Sequence, residues 1–153
     1  MTMISLNLPK AELKIKCEDG GLKVFDALRN KYVRLTPEEW VRQNFVAYLV
    51  NHLGYPSGLM GNEISLTQNG IKRRCDTIVA DSSGKPLIII EYKAPDVEIS
   101  QEVFNQICRY NSVLRAKYLV VTNGLNHFCC RIDYDSELNI TFLKDIPLFK
   151  ELI

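Results

Sequence analysis

Residues 86–90 read Pro86-Leu87-Ile88-Ile89-Ile90, an unbroken apolar run. A run this short and this rich in β-branched residues reads as a strand buried on both faces. Such a strand needs a covering layer on each side of its sheet. Yet a carboxylate stands on either side of it, Asp76 and Glu91, and Lys93 follows two residues after the second. Charges are costly to bury unless they are paired, so their placement asks for a reason.

Two segments suit the covering layers. Thr36-Pro37-Glu38-Glu39 offers an N-cap, a proline for the first turn and Glu39 at the third position of a capping box. Trp40, Val41, Phe45, Tyr48, Leu49 and Leu53 follow at helical spacing, and Gly54 ends the pattern. This predicts an amphipathic helix over 37–53. Ser100 caps a second helix predicted over 100–115, with Val103, Phe104, Ile107 and Leu114 on its core face. Between the helices, strands are expected at 62–67, 72–81 and 86–93, with an Asn69-Gly70 turn after the first. A further strand at 117–122 ends at Asn123-Gly124. The order is helix, three strands, helix, strand, which implies an α/β class fold (an α+β mixed sheet).

Short alternating stretches in residues 4–35 (ISLNL, ELKIKC, LKVFDAL, KYVRL), with a turn at Asp19-Gly20-Gly21, predict an N-terminal antiparallel ribbon. Residues 126–134 and 139–143 read as strands, and the last residues as a short helix. At 153 residues the chain is expected to form one domain. Its parts are the ribbon at 1–35, a core at 36–124 and a C-terminal piece at 125–153.

A two-residue turn at Ser83-Gly84 would set opposite each other residues whose numbers sum to 167, Asp76 and Glu91 among them. Opposed side chains on one sheet face have Cβ atoms ~5 Å apart. Lys93 shares the face of Glu91, and Tyr92 points away. Two carboxylates so close repel, and one gains proton affinity unless a cation lies between them. Oxygen ligands at this spacing suit Mg²⁺, which takes one or two carboxylates and completes its shell with water and phosphate oxygens. A solvated salt bridge from Lys93 to either carboxylate is the plainer reading of the same three residues.

The pattern D-x14-E-x-K on adjacent strands resembles the PD-(D/E)xK nuclease superfamily, whose restriction-endonuclease-like core order is αβββαβ. The chain is most similar to the N-terminal nuclease domain of type I restriction enzyme R subunits. TPEEWVRQNFVAYLVNHLGYP, KRRCDTIV, IIIEYKAP, QICRY and YLVVTNG carry the likeness, over about residues 36–124. The proline of the motif is replaced by Cys75. The resemblance implies a Mg²⁺- or Mn²⁺-dependent deoxyribonuclease that hydrolyses a phosphodiester. Asp76 and Glu91 would hold the metal, and Lys93 would orient water and stabilise charge on the phosphate. Glu39 is the candidate for a third metal ligand from the first helix, with Glu63 as a rival. Gln106 and Tyr110, four apart on one helix face, would stand beside the active site. Lys72, Arg73 and Arg74, just before Asp76, lie where a DNA backbone would pass. Each of these also has a plain reading as a cap, a polar flank or a solvated charge run.

Composition bounds the rest. With 46% hydrophobic and 24% charged residues the chain is globular in class. Net charge is +1, so nucleic-acid binding has to come from local clusters. The five cysteines are odd in number and lack C-x-x-C spacing, which argues against a disulfide framework and fits a reducing compartment. Cys129 and Cys130, adjacent on a predicted strand, point to opposite faces, so a shared zinc with His127 is disfavoured. No apolar run reaches the ~20 residues of a membrane helix, and the first residues lack the apolar region of a signal peptide. A cytoplasmic address with no membrane contact is expected. A Walker A sequence is absent, so motor or specificity subunits of a restriction system are expected partners beside DNA. The alternative is a non-catalytic nucleic-acid-binding or assembly module that keeps the nuclease fold, a reading the near-zero net charge favours.

Overall fold

The computed structural model describes residues 3–135 and 138–152. Residues 1–2, 136–137 and 153, parts of the predicted terminal segments, lie outside the described residues. The elements are β1 (Ile15–Glu18), β2 (Gly21–Asp26), β3 (Lys31–Arg34), α1 (Pro37–His52), β4 (Met60–Gln68), β5 (Ile71–Ala80), β6 (Pro86–Tyr92), α2 (Gln101–Asn111), β7 (Tyr118–Thr122), β8 (His127–Asp133) and β9 (Asn139–Leu143). Strands β4 to β9 form one six-stranded sheet in chain order. All its pairs are antiparallel except β6 with β7, which α2 joins as a parallel crossover. The fold is the mixed α/β, restriction-endonuclease-like arrangement that the order of elements implied.

The apolar run becomes β6, at the centre of the sheet. Ile88 and Ile90 pack with Val41, Phe45 and Leu49 of α1, whereas Ile89 packs with Phe104 and Cys108 of α2. Each helix supplies one of the covering layers. Both are capped as expected: Thr36 accepts from the Glu39 N–H at 3.1 Å and Ser100 from the Val103 N–H at 3.2 Å. Gly54 follows α1 at φ +77°, a conformation glycine adopts without strain. Cys129 and Cys130 enter the α1 and α2 layers respectively, and all five cysteines are free.

Three local expectations are corrected. The N-terminal sheet begins only at Ile15; residues 3–14 form no strand. Instead the Asn7 N–H donates to the Gly124 carbonyl at 2.8 Å, and the Trp40 indole donates to the Ile4 carbonyl at 2.8 Å. The loop before β6 is longer than two residues. Asp81 and Lys85 close it, with the Asp81 carboxylate accepting from the Ser83 and Lys85 N–H groups. That loop alone would slip the register, but Ala80 pairs with Pro86 while Val79 pairs with Ile88. Leu87 is thus the extra residue of a β-bulge, and Leu87 and Ile88 both enter the α1 layer. The bulge returns the ladder to Thr77 opposite Ile90, the register expected for Asp76 and Glu91. Finally, α1 is not amphipathic in the simple sense. Glu39, Arg42, Gln43 and Asn44 are buried along with its apolar residues, in part because Asp26 and Arg29 of the N-terminal region cover its first turns.

Candidate functional site

The β4–β5 ladder is interrupted where Glu63 faces Asp76. Pairing runs from Met60/Val79 to Asn62/Thr77 and resumes at Ile64/Cys75. Glu63 adopts φ +56°, a left-handed conformation that is costly for a residue with a side chain and that persists where surrounding structure enforces it. Across this break the strands change faces. Cys75 packs in the α2 layer, but Val79 lies in the α1 layer and Thr77 accepts a hydrogen bond from Tyr92 at 2.9 Å. A regular strand would keep residues 75, 77 and 79 on one face. On β4, a Cβ at Gly61 would come within 2.8 Å of Ile64, so residues three apart share a face there.

Beside the break lies a cavity of about 340 Å³ lined by Glu38, Arg42, Glu63, Asp76, Glu91, Tyr92, Lys93 and Ile107. It gathers Asp76, Glu91 and Lys93 from the ends of two strands. The Tyr92 N–H donates to Asp76 Oδ2 at 2.9 Å. Glu91 Oε1 is buried and has no hydrogen-bond partner. Burial, and then the charge of Asp76, push the Glu91 carboxyl up to about 9, so without a cation it holds a proton at neutral pH. Among the described residues Lys93 makes no ion pair, contrary to a simple salt bridge at the strand end; its backbone N–H donates to Thr122 on β7 at 2.9 Å.

The other acids are held differently. Glu39 accepts from Arg42 at 2.6 and 2.8 Å, from Arg29 at 2.8 Å and from Gln43 at 3.0 Å. Burial works against its charge, but these donors hold its carboxyl below the usual range. Its side chain therefore lies in this cluster, outside the cavity lining, and does not reach back to close the capping box. Glu63 lines the cavity and is bridged by Arg42 at 2.9 Å and Arg74 at 2.7 Å. Arg42 also donates to the Asp76 carbonyl at 2.9 Å, and so braces the backbone at the break. The brace continues away from the cavity. Arg29 pairs with Asp26 at 2.6 Å, Asn62 donates to Asp26 at 2.8 Å, and Thr77 donates to Asn62 at 2.6 Å. Arg42 was not anticipated from sequence. A signal was present: Glu39/Arg42 and Asp26/Arg29 share a three-residue spacing that lets a turn or helix pair them.

Gln106 and Tyr110 line an adjoining hollow of about 280 Å³ together with Glu91, Ile107 and Asn111. Both are exposed. Of the three basic residues before Asp76, Lys72 is exposed and Arg74 is committed to Glu63. Arg73 donates to the Tyr110 carbonyl at 2.7 Å and lies 4.2 Å from its ring centroid, which ties β5 to the end of α2.

The donor set fits a hard cation. Two carboxylates converge, one with an orphaned buried oxygen. No group of three or more His, Cys, Asp or Glu side chains among the described residues is placed to hold a metal, as suits an ion that keeps most of its water. No helix among the described residues is long and apolar enough to cross a membrane. Comparison with curated proteins finds no match. Residues 37–147 match the family described as Type I restriction enzyme R protein N terminus (HSDR_N), a span that runs from the start of α1 past β9. The chain belongs to that family of restriction-enzyme domains.

Proposed function

We propose that the chain hydrolyses phosphodiester bonds of DNA with a divalent cation, Mg²⁺ or Mn²⁺, bound between Asp76 and Glu91. The observation that carries this reading is the orphaned Glu91 Oε1, buried beside a second carboxylate. The ion supplies Lewis-acid polarisation of a phosphate oxygen. The chain does the rest. Lys93, free of ion pairs in the same cavity, donates to the phosphate and orients the attacking water. The Tyr92 N–H fixes the Asp76 carboxylate, and Arg42 fixes its backbone. Arg42 and Arg74 keep Glu63 ionised at the cavity wall, where it serves as a further acceptor for cation-bound water. Glu39 drops out as a direct ligand, since its oxygens already accept from two arginines and Gln43. Gln106 and Tyr110 contact DNA from the adjoining hollow. Partner subunits of a restriction system would supply translocation and sequence choice.

The test is a Mg²⁺ and Mn²⁺ titration with plasmid and linear DNA, with Lys93→Ala and Glu91→Gln as controls. Cleavage by wild type alone, lost in both variants, is the expected result. Metal-independent cleavage, or cleavage that survives Lys93→Ala, would overturn the proposal. Metal-dependent DNA binding without cleavage would favour the assembly-module reading.

A further inference from the structure

The outer face of the N-terminal sheet carries an arrangement that the sheet does not need for its own stability. The register sets Lys16 opposite Lys23, and Lys23 opposite Arg34. Two residues along, Phe25 lies opposite Tyr32, and the Phe25 N–H donates to the Lys14 carbonyl at 2.9 Å. Side chains two apart on a strand share a face. Six side chains therefore form a grid of two cross-strand rows, Lys16–Lys23–Arg34 and Lys14–Phe25–Tyr32. Contacts across the face agree: Lys16 Nζ lies 4.1 Å from the Tyr32 ring centroid, Lys14 Nζ 5.5 Å from that of Phe25, and the two rings 5.2 Å apart. The alternate residues Val24 and Asp26 are buried on the other face.

Like charges directly opposed on a sheet destabilise it, and a face needing only solubility is better served by mixed signs. Glu18 reaches Lys16 at 2.6 Å and Lys23 at 3.5 Å. Among the described residues no ion pair involves Lys14 or Arg34. With strands ~4.8 Å apart, the cation row spans about 10 Å. One strand of duplex DNA presents a phosphate every ~3.4 Å of axis, so the row matches about three phosphates. The exposed Tyr32 ring beside it offers a flat contact for sugar or base.

We propose that this face binds the phosphate backbone of duplex DNA, as a surface separate from the cavity and independent of metal. All six residues precede residue 37, where the family match begins. The experiment uses the full chain and a labelled 20-base-pair duplex of about that length, in EDTA, by fluorescence anisotropy over a salt series. Lys16→Gln/Arg34→Gln should weaken binding at least tenfold and make the slope of log affinity against log salt shallower by about 1.8, the share of two phosphate contacts. Its melting temperature should equal or exceed that of wild type, because repulsion is relieved. Lys16→Arg/Arg34→Lys should bind as wild type does. Unchanged affinity and slope in the glutamine variant would overturn the proposal, as would wild-type binding to phosphatidylserine vesicles without binding to the duplex. No metal is present in either measurement, so the result stands whether or not the cavity cleaves DNA.

Discussion

Two groups of buried acids lie on either side of Arg42. On one side Glu39 is enclosed by Arg29, Arg42 and Gln43, and its charge is answered from every direction. On the other, Glu91 is buried against Asp76 with an oxygen that nothing answers. The two environments are similar in burial and opposite in electrostatics. Burial alone therefore does not mark a functional carboxylate. The missing partner does, because a native structure rarely leaves a buried acceptor unpaired without a use for it.

The largest test of this contrast is Arg42→Ala. It leaves Glu39 buried beside an empty position and frees the Asp76 carbonyl. Breaking a buried, hydrogen-bonded pair costs about 3–5 kcal/mol. Urea denaturation should show a loss of that order, and a loss below about 1 kcal/mol would show that the brace is not the stabilising cluster described. Metal comes next. A divalent ion at a hundred times its dissociation constant should stabilise wild type by about 2.7 kcal/mol, read as a rise in melting temperature. Asp76→Asn should show almost none of that rise. Metal-indifferent wild type would remove the cation from the contrast.

Charge relief is smaller. Metal-free Asp76→Asn should be as stable as wild type or better by roughly 0.2–1 kcal/mol, the cost of opposed like charges on a sheet. The same pair sets a pH dependence. Native Glu91 keeps its proton up to about 9, whereas the unfolded chain releases it near 4.5. The native state then binds more protons between those values, so stability is full below 4.5 and declines as pH rises toward 9. Asp26, Glu39 and Glu63 have lowered values and give the opposite slope, confined to acid pH. Melting temperatures of Glu91→Gln should lack the decline between pH 5 and 9, and an unchanged decline would assign it elsewhere. The smallest effect on stability belongs to Gln106→Ala. Its side chain is exposed, so stability should change by no more than about 0.5 kcal/mol, while DNA affinity falls. A variant that melts early yet binds normally would give Gln106 a packing role.

The sequence made the frame of this site legible through local signals. The caps at Thr36 and Ser100 and the apolar run of β6 each act over a few residues, and the structure follows them. The register of Asp76 and Glu91 was also read, though through a turn that is not there; the bulge at Leu87 compensates for the longer loop. What the sequence hid depends on distant packing. Glu39 reads as a cap or ligand until Arg29, from beyond β2, is seen against it. The left-handed Glu63 has no signature, because its conformation is imposed by two strands changing faces together.

That Asp76 and Glu91 are close neighbours along the chain has a kinetic side. They meet across a local hairpin, and β4 and β5 join through an Asn69-Gly70 turn with both residues at positive φ. The parallel partner β7 pairs Ile88 with Tyr118, a separation of thirty residues, and Arg42 reaches Asp76 over thirty-four. Contacts that close short loops form at lower entropic cost than those that close long ones. The β4–β6 meander is therefore expected to assemble ahead of the brace, bringing the two acids together before any arginine steadies them. Substitutions in the β5–β6 hairpin should then slow folding, and those at Arg42 should mainly speed unfolding. Folding and unfolding rates measured across the two sets would read that order directly, and a φ-value near 1 at Arg42 would reverse it.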